Sequence, residues 1–454
     1  MRVSVVLWSL GWMSIALLTA GSWVEALQSE SPKDRQAENQ VPLASLPSAP
    51  GPHIAKIKAL PDNTWLNLGS PAADPKWGKG RGRSWTAHMP YAPDLKAAFL
   101  FGEGVHTWWN RQNHRYMDDL FVYDVQGHRW ICAYPGTDVV NVQLKLDENG
   151  FEVDKEGRPV PVSQLVHGYE MVSYDPDRRR FLFMPGSSGD WQAGAPFGKR
   201  RMGWGVRGQG MPRNNSPWLY DVRSGRWDLR KVNGPAPASG LANVSVYVPT
   251  TKKLFYWHTS QRKEVWFYDP QMNNWSGEKV KGPPPPFGID ASACLDLKRQ
   301  RIYIGGGYYP VSKGPHAFWC YDLKTNSWVD LQPKGKPCKG CNRYGPNHAV
   351  MNYDSANDVV VLIFHRWQLA PTDGDVQPGP GSRGVYVYDP AANAWTESPL
   401  PMPKGIGLCP SGFYSPDLNA HFLHVAGDSD DNGVLWVYRY KRAQDSPRKK
   451  EAGK

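Results

Sequence analysis

Short apolar runs separated by polar turns occupy most of the chain. Runs such as 170–174, 180–184 and 359–364 contain β-branched and aromatic residues, and the turns between them contain Asp, Pro, Asn and Ser. Runs this short, bounded by turn-forming residues, are typical of β-strands rather than helices. The pattern therefore predicts an all-β protein.

One arrangement recurs at a constant spacing. A Tyr-Asp pair closes an apolar run, and a Trp opens the next run seven residues after the Tyr. The copies are Tyr123/Trp130, Tyr220/Trp227, Tyr268/Trp275, Tyr321/Trp328 and Tyr388/Trp395. Two further apolar runs precede each Tyr-Asp pair, so each unit predicts four strands, named a to d. One such sheet is too small to bury both of its faces, so neighbouring units must stack on each other.

This repeat resembles the kelch family of β-propellers, whose units are roughly 50 residues long. The glycine doublet of that family is clear only at Gly305-Gly306-Gly307. The a–b pairs start near Trp85, Tyr169, Ala242, Ala291, Ala349 and Gly412. Six pairs predict a six-bladed kelch-type β-propeller with four strands per blade, spanning residues 61–440. The last unit has no Trp of its own, so we expect the strand at Trp65 to complete the sixth blade and close the ring.

The two ends of the chain differ in composition from the repeats. Residues 1–26 combine a basic start, an apolar run and a small-residue cleavage site, which predicts a signal peptide or, alternatively, an uncleaved anchor. Residues 27–60 are rich in Ser, Pro, Gln and Glu and predict a disordered linker, and residues 441–454 predict a disordered basic tail. The expected location is secreted, periplasmic or on the cell surface.

Six cysteines in an exported chain permit disulfides. Cys338 and Cys341 form a Cys-x-x-Cys motif, which is consistent with a redox pair, half a zinc site or a loop staple. Because no second motif accompanies it, a structural disulfide is the favoured interpretation. Cys294 and Cys320 lie on predicted strands and are expected to be buried. No metal site and no cofactor are expected; residues 428–433 resemble part of a calcium loop but lack its terminal Glu.

The long insertions all fall in b–c or d–a segments, which share one face of a propeller. Binding residues concentrate on loops that a rigid scaffold holds. The ligand-binding candidates on this face are His106, His114, Arg115, Arg201, Trp204, Arg207, Arg213, His258 and Arg262. The catalytic candidates are His167, Tyr169, Tyr308, His348, His365 and Arg366. A single His is usually a hydrogen-bonded surface residue, so the hypothesis depends on several of them converging at one mouth.

The net charge of +11 fits acidic polysaccharides or an extracellular protein as the partner, and nucleic acid is not expected in this compartment. Arg and Lys beside aromatic residues suit carboxylated or sulfated sugars. The first hypothesis is therefore a monomeric binding module. The alternative is a carbohydrate-active enzyme on the same face, such as a uronate polysaccharide lyase. A sugar mutarotase or a copper-radical oxidase resembling galactose oxidase is less favoured, the latter because no copper-binding segment is recognisable.

Overall fold

The computed structural model describes residues 41–83, 86–102, 109–110, 115–138, 143, 145–149, 151–161, 168–184, 216–237, 243–258, 264–286, 291–306, 318–335, 349–365, 383–407, 410–426 and 432–441. Within these ranges almost every regular element is a strand, and the one α-helix is α1 (His53–Ala59). The described residues include no helix with the length and apolar character that a membrane crossing requires.

The strands form six four-stranded antiparallel sheets, and two short hairpins stand outside them. In chain order the strands are β1 (Thr64–Gly69), β2 (Tyr91–Ala92), β3 (Ala97–Leu100), β4 (Trp109–Asn110), β5 (Arg115–Tyr116), β6 (Leu120–Asp124), β7 (Arg129–Tyr134), β8 (Lys145–Leu146), β9 (Glu152–Val153), β10 (Val172–Asp175), β11 (Arg180–Phe183), β12 (Trp218–Asp221), β13 (Arg226–Asp228) and β14 (Val244–Val248). They continue with β15 (Lys253–Trp257), β16 (Glu264–Asp269), β17 (Asn274–Lys279), β18 (Ala291–Asp296), β19 (Arg301–Gly306), β20 (Phe318–Asp322), β21 (Ser327–Asp330), β22 (Val350–Asp354), β23 (Val359–His365), β24 (Arg383–Asp389), β25 (Ala394–Glu397), β26 (Ser411–Ser415), β27 (Ala420–Val425) and β28 (Val434–Arg439).

The six sheets are the blades of a β-propeller. Blade 1 is β2-β3-β6-β7, blade 2 is β10 to β13, blade 3 is β14 to β17, blade 4 is β18 to β21, blade 5 is β22 to β25, and blade 6 is β26-β27-β28-β1. The first strand of each blade contacts the first strands of its neighbours, so these six strands surround the axis. Apolar side chains fill the spaces between neighbouring blades. The predicted fold class and blade number are confirmed.

The recurring Tyr-Asp…Trp arrangement organises the c–d turn of a blade. In blade 4, the Tyr321 hydroxyl donates to Oδ1 of Asn326 at 2.8 Å, and Asn326 adopts a positive φ of 49°. The Asp322 carboxylate accepts the backbone N–H groups two and three residues later. The Trp328 ring packs on the Tyr321 ring at 5.2 Å. Tyr, Asp, a residue with a positive φ and Trp therefore act together in one tight turn, which explains their fixed spacing. The residue with the positive φ is Asn here, His128 in blade 1 and Gly225 in blade 2. The same Tyr–Asn bond recurs at Tyr268/Asn273 and Tyr388/Asn393.

A sixth copy of this turn is divided between the two ends of the chain. Strand β1 pairs with β28, and Trp65 lies opposite Tyr438 as each Trp lies opposite its Tyr in the other blades. The Tyr438 hydroxyl donates to Oδ1 of Asn63 at 3.1 Å, and Asn63 has a φ of 51°. Arg439 occupies the place of the Asp and donates to the carbonyl oxygen of Ile57 at 2.7 Å. The predicted closure by the Trp65 strand is confirmed.

Part of the predicted linker packs against the blades. Residues 41–60 include α1, and its Ile54 and Ile57 are buried between blades 1 and 6. Leu43 and Leu46 are buried beside blades 1 and 2. The large aliphatic residues of this segment are few, which made its composition resemble a linker. Five of the six are nevertheless buried, namely Leu43, Leu46, Ile54, Ile57 and Leu60. Residues 1–40 and 442–454, with the predicted signal peptide and nearly all of the basic tail, lie outside the described residues.

The described cysteines are free thiols. Cys132, Cys294 and Cys320 are buried and unpaired. Cys294 and Cys320 both lie opposite Tyr303, on either side of its strand. Two strand spacings, about 9.5 Å, separate them, which exceeds the reach of a disulfide. The expectation that these two residues are buried is confirmed. The motif at Cys338 and Cys341, for which a disulfide was predicted, lies outside the described residues.

Candidate functional site

The connections between strands differ sharply at the two ends of the ring. All six a–b turns and the five contiguous c–d turns contain four residues each, whereas the b–c and d–a connections contain 6 to 37. Because strands alternate in direction within each blade, the short turns share one end and the long connections share the other. We name these the turn-rich end and the loop-rich end. The prediction that long insertions share one face is confirmed.

Contacts between adjacent a–b turns fix the turn-rich end. The fourth residue of every a–b turn has a positive φ, and in all six it reaches the turn of the preceding blade through an ion pair or a side-chain hydrogen bond. Arg179 pairs with Asp94 at 2.9 Å, and Lys252 pairs with Asp177 at 3.1 Å. Between blades 4 and 5 the charges are reversed, and Arg299 pairs with Asp358. These contacts join the a–b turns of all six blades into one connected layer at the turn-rich end.

The inner strands approach each other closely at the loop-rich end. Glu170 forms a parallel bridge with Val244, and His88 forms one with Gly412. The N–H of Ser245 donates to the carbonyl oxygen of Glu170 at 2.7 Å. The inner strands of these neighbouring blades are therefore in direct backbone contact at the loop-rich end.

His88 of blade 1 and Glu170 of blade 2 face each other at this end. His88 Nδ1 lies 4.0 Å from Glu170 Oε2, and 27 % of the His88 side chain is accessible against 5 % of Glu170. Glu170 Oε1 has no hydrogen-bond partner among the described residues. Since about a quarter of the His88 side chain is accessible, this side chain borders a solvent-accessible space.

Burial moves both groups toward their neutral forms. It raises the pKa of the Glu170 carboxyl well above its ordinary value, although the backbone N–H of Ala293 in blade 4 opposes that rise. Burial lowers the pKa of the His88 imidazole to about 4. A protonated carboxyl is a hydrogen-bond donor and a neutral imidazole is an acceptor through its unprotonated nitrogen. The pair can thus exchange protons with a group placed between its members.

A second polar cluster lies between blades 6 and 1, at the loop-rich end. The side chain of Arg83 is fully buried, and its Nη2 donates to Asp119 Oδ1 at 2.6 Å. Nε and Nη1 of Arg83 have no partner among the described residues. The His424 ring lies 5.0 Å from the Trp130 ring. Burial, and then the positive charge of Arg83, lower the pKa of His424 to about 3.

Asp118 is also buried beside this cluster. It accepts the Thr137 N–H at 2.8 Å and the Thr137 hydroxyl at 2.6 Å. Burial raises the pKa of Asp118 to about 6 although both hydrogen bonds oppose the rise. These contacts hold the segment that follows strand β7 against the segment that precedes strand β6.

His424 is expected to make folding sensitive to acid. Its pKa is about 3 when folded against 6.5 for the free side chain, so the unfolded chain binds the proton first as pH falls below 6.5. When the pH is lowered from about 7 to about 4, the unfolding free energy of His424→Gln should therefore fall by about 3 kcal/mol less than that of the parent. Urea unfolding at the two pH values measures this difference. Asp118 changes the unfolding free energy in the opposite direction, but it is present in both chains. Equal pH dependence of the two unfolding free energies would contradict the prediction.

Four of the predicted site residues fall within the described ranges. The Arg115 guanidinium lies 4.6 Å from the Trp77 ring, and its Nη1 donates to the Gly136 carbonyl oxygen at 2.7 Å. Tyr169 is buried, with a φ of 44°, and it directly precedes Glu170. His258 is buried at the end of strand β15, and the backbone of His365 pairs with that of Arg383. The predicted residues outside the described ranges are His106, His114, His167, Arg201, Trp204, Arg207, Arg213, Arg262, Tyr308, His348 and Arg366.

The sequence interpretation missed His88, Glu170, Arg83 and Asp119. Glu170 stands two residues before the inner strand β10, next to the candidate Tyr169, and a charged residue that is buried at that place is the signal that was available. Within the described ranges, no three His, Cys, Asp or Glu side chains are arranged to hold a metal ion. The chain matches no protein-family model and no curated protein sequence.

Proposed function

We propose that this protein is an exported, kelch-type binding propeller whose loop-rich end binds an acidic glycan. The observation that carries the proposal is the division of the ring into two ends. The a–b and c–d turns contain four residues each, and all the longer connections leave from the other end. A rigid ring with elaborated connections at one end is the usual arrangement of a binding surface on a scaffold.

The charges of two of the long connections support an anionic ligand, although the longest connection, residues 135–171, contains more acidic than basic residues. Residues 185–217 contain the basic residues Lys199, Arg200, Arg201, Arg207 and Arg213 and one acidic residue, Asp190. Residues 331–348 contain the basic residues Lys334, Lys336, Lys339 and Arg343 and no acidic residue. Guanidinium groups pair with carboxylates and sulfates in two-point geometry, and the aromatic residues nearby can stack on sugar rings.

Removing two basic residues from the loop-rich end is expected to weaken binding to polygalacturonate or heparin. Arg201→Ala with Arg207→Ala should reduce affinity about tenfold or more, since each charge-assisted contact contributes roughly 1.5–3 kcal/mol. The matched control is Arg223→Ala with Lys324→Ala, which removes two exposed charges from the turn-rich end. Isothermal titration with uncharged dextran as the reference ligand measures the effect. If the control pair weakens binding as much, overall charge rather than this end binds the glycan.

Two other outcomes would change the proposed function. Binding to neither polysaccharide would leave an extracellular protein as the favoured partner of the same end. Release of an unsaturated uronate, seen as a rise in ultraviolet absorbance, would make the protein a lyase. The acid–base capability of His88 and Glu170 is the observation that favours this second function.

A further inference from the structure

The space between His88 and Glu170 lacks a direct contact. The 4.0 Å between Nδ1 and Oε2 exceeds hydrogen-bond length. The other carboxyl oxygen, Oε1, has no partner among the described residues although the side chain is buried. A buried polar atom without a partner carries a considerable free-energy cost, so a native structure that keeps one calls for an explanation. One oxygen atom can lie within hydrogen-bond distance of both groups across a gap of this length.

We propose that His88 and Glu170 bind one hydroxyl group of a carbohydrate that approaches the axis from the loop-rich end. The inference rests on the proposed function, because it takes the ligand of that end to be a glycan. A hydroxyl group both donates and accepts, so it can donate to the imidazole nitrogen while it accepts from the carboxylic acid.

The surroundings of the pair favour a neutral group over a cation. Besides His88 and Glu170, the described groups around this point include the Val244–Ser245 backbone, the N–H of Ala293 and Gly412. The N–H of Ala293 presents a positive dipole to the carboxyl, and the chain as a whole carries a net charge of +11. An ammonium group would have to approach against this charge, whereas a hydroxyl group would not.

The His88 ring signal reports directly on occupation of this space. In the full chain labelled with ¹³C-histidine, His88→Gln identifies that signal by its loss. We expect D-galactose and D-galacturonate to shift it, with galacturonate binding about tenfold more tightly because of the basic connections, and propylammonium to leave it unchanged. Glu170→Gln should weaken both sugars about tenfold. Glu264→Gln, at an exposed residue that opens strand β16 at the same end, should leave both affinities unchanged.

The results separate this site from the preference for acidic glycans. A shift by both sugars with equal affinity supports the hydroxyl site and removes the preference for carboxylated ligands. An unchanged His88 signal with either sugar overturns the site, even if polysaccharides bind elsewhere on the loop-rich end. A shift by propylammonium that Glu170→Gln abolishes also overturns it, because the site would then bind a cation. Equal weakening by Glu264→Gln would show a general charge effect and would count against the pair.

Discussion

A chain that begins at residue 70 is expected to lose cooperative folding of the ring. It lacks strand β1, which supplies the fourth strand of blade 6, and also the segment 41–60 with its buried α1 residues. Strand β28 would become an open edge, and the apolar faces between blades 1 and 6 would be exposed. Loss of a complete strand from a closed ring should lower the free energy of unfolding by more than the roughly 1–5 kcal/mol that single core substitutions cost. Urea unfolding, followed by Trp fluorescence, measures the loss.

Because the sixth turn is divided between distant parts of the chain, attaching strand β1 after strand β28 should restore the truncated ring. The N–H of Asn63 donates to the Tyr440 carbonyl oxygen at 2.9 Å, so the two ends of the chain already meet. Joining Lys441 directly to Asp62 would place Asn63 and Trp65 five and seven residues after Tyr438, the spacing of the other copies. A chain of residues 70–441 followed by 62–69 should regain a single cooperative transition, at lower stability than the parent because 41–61 is missing. If both chains lacking residues 41–61 unfold alike, closure by β1 does not stabilise the ring.

Asp119→Ala is expected to be the most destabilising single substitution at the loop-rich end. It leaves the guanidinium of Arg83 buried without its one described partner. Leaving a buried charge unpaired typically costs about 3–5 kcal/mol. Asp154→Ala provides the control, because it removes one of the two carboxylate partners of Arg158, whose side chain is 68 % exposed. Exposed pairs contribute about 0–1 kcal/mol.

Replacing both members of the buried pair tests the cause. Arg83→Met with Asp119→Leu removes the charge and the carboxylate together, and it should recover most of the stability that Asp119→Ala loses. The unfolding free energies of the parent, Asp119→Ala, Asp154→Ala and the double variant are measured in urea and compared. If the double substitution is no more stable than Asp119→Ala alone, the loss comes from packing and not from the unpaired charge.

The fold was predictable because its repeat is local. Tyr321, Asp322, Asn326 and Trp328 act within a single turn, so their spacing in sequence reports their geometry directly. The closing strand was predictable for the same reason: Trp65 had the features of a d strand without a unit before it. Residues 41–60 were assigned to a linker because a few buried side chains, such as Ile54 and Ile57, do not change the composition of a polar segment.

The axial pair was not predictable from local pattern. His88 and Glu170 come from different blades, and the packing of blade 2 beside blade 1 brings them to 4.0 Å. In sequence each is an isolated polar residue among apolar neighbours, which is common. The buried contact between Arg83 and Asp119 is hidden in the same way, since it joins the connection before blade 1 to the start of strand β6. The loop residues were predicted from the length and charge of the connections. These features indicate one end of the ring, but they do not locate a residue on that end.

The division of the sixth turn also has a consequence for biosynthesis. Strand β1 is made first and its partner β28 near the end, so blade 6 cannot be completed until almost the whole chain has been translated. Until then the nascent polypeptide carries an unpaired strand, and the side of blade 1 that includes Phe121, Tyr123 and Trp130 lacks the side chains of blade 6 that pack against it. Contacts between such distant parts of a chain form slowly. Protection of these surfaces by a chaperone during translation would therefore matter more for this ring than for one whose last blade is continuous in sequence.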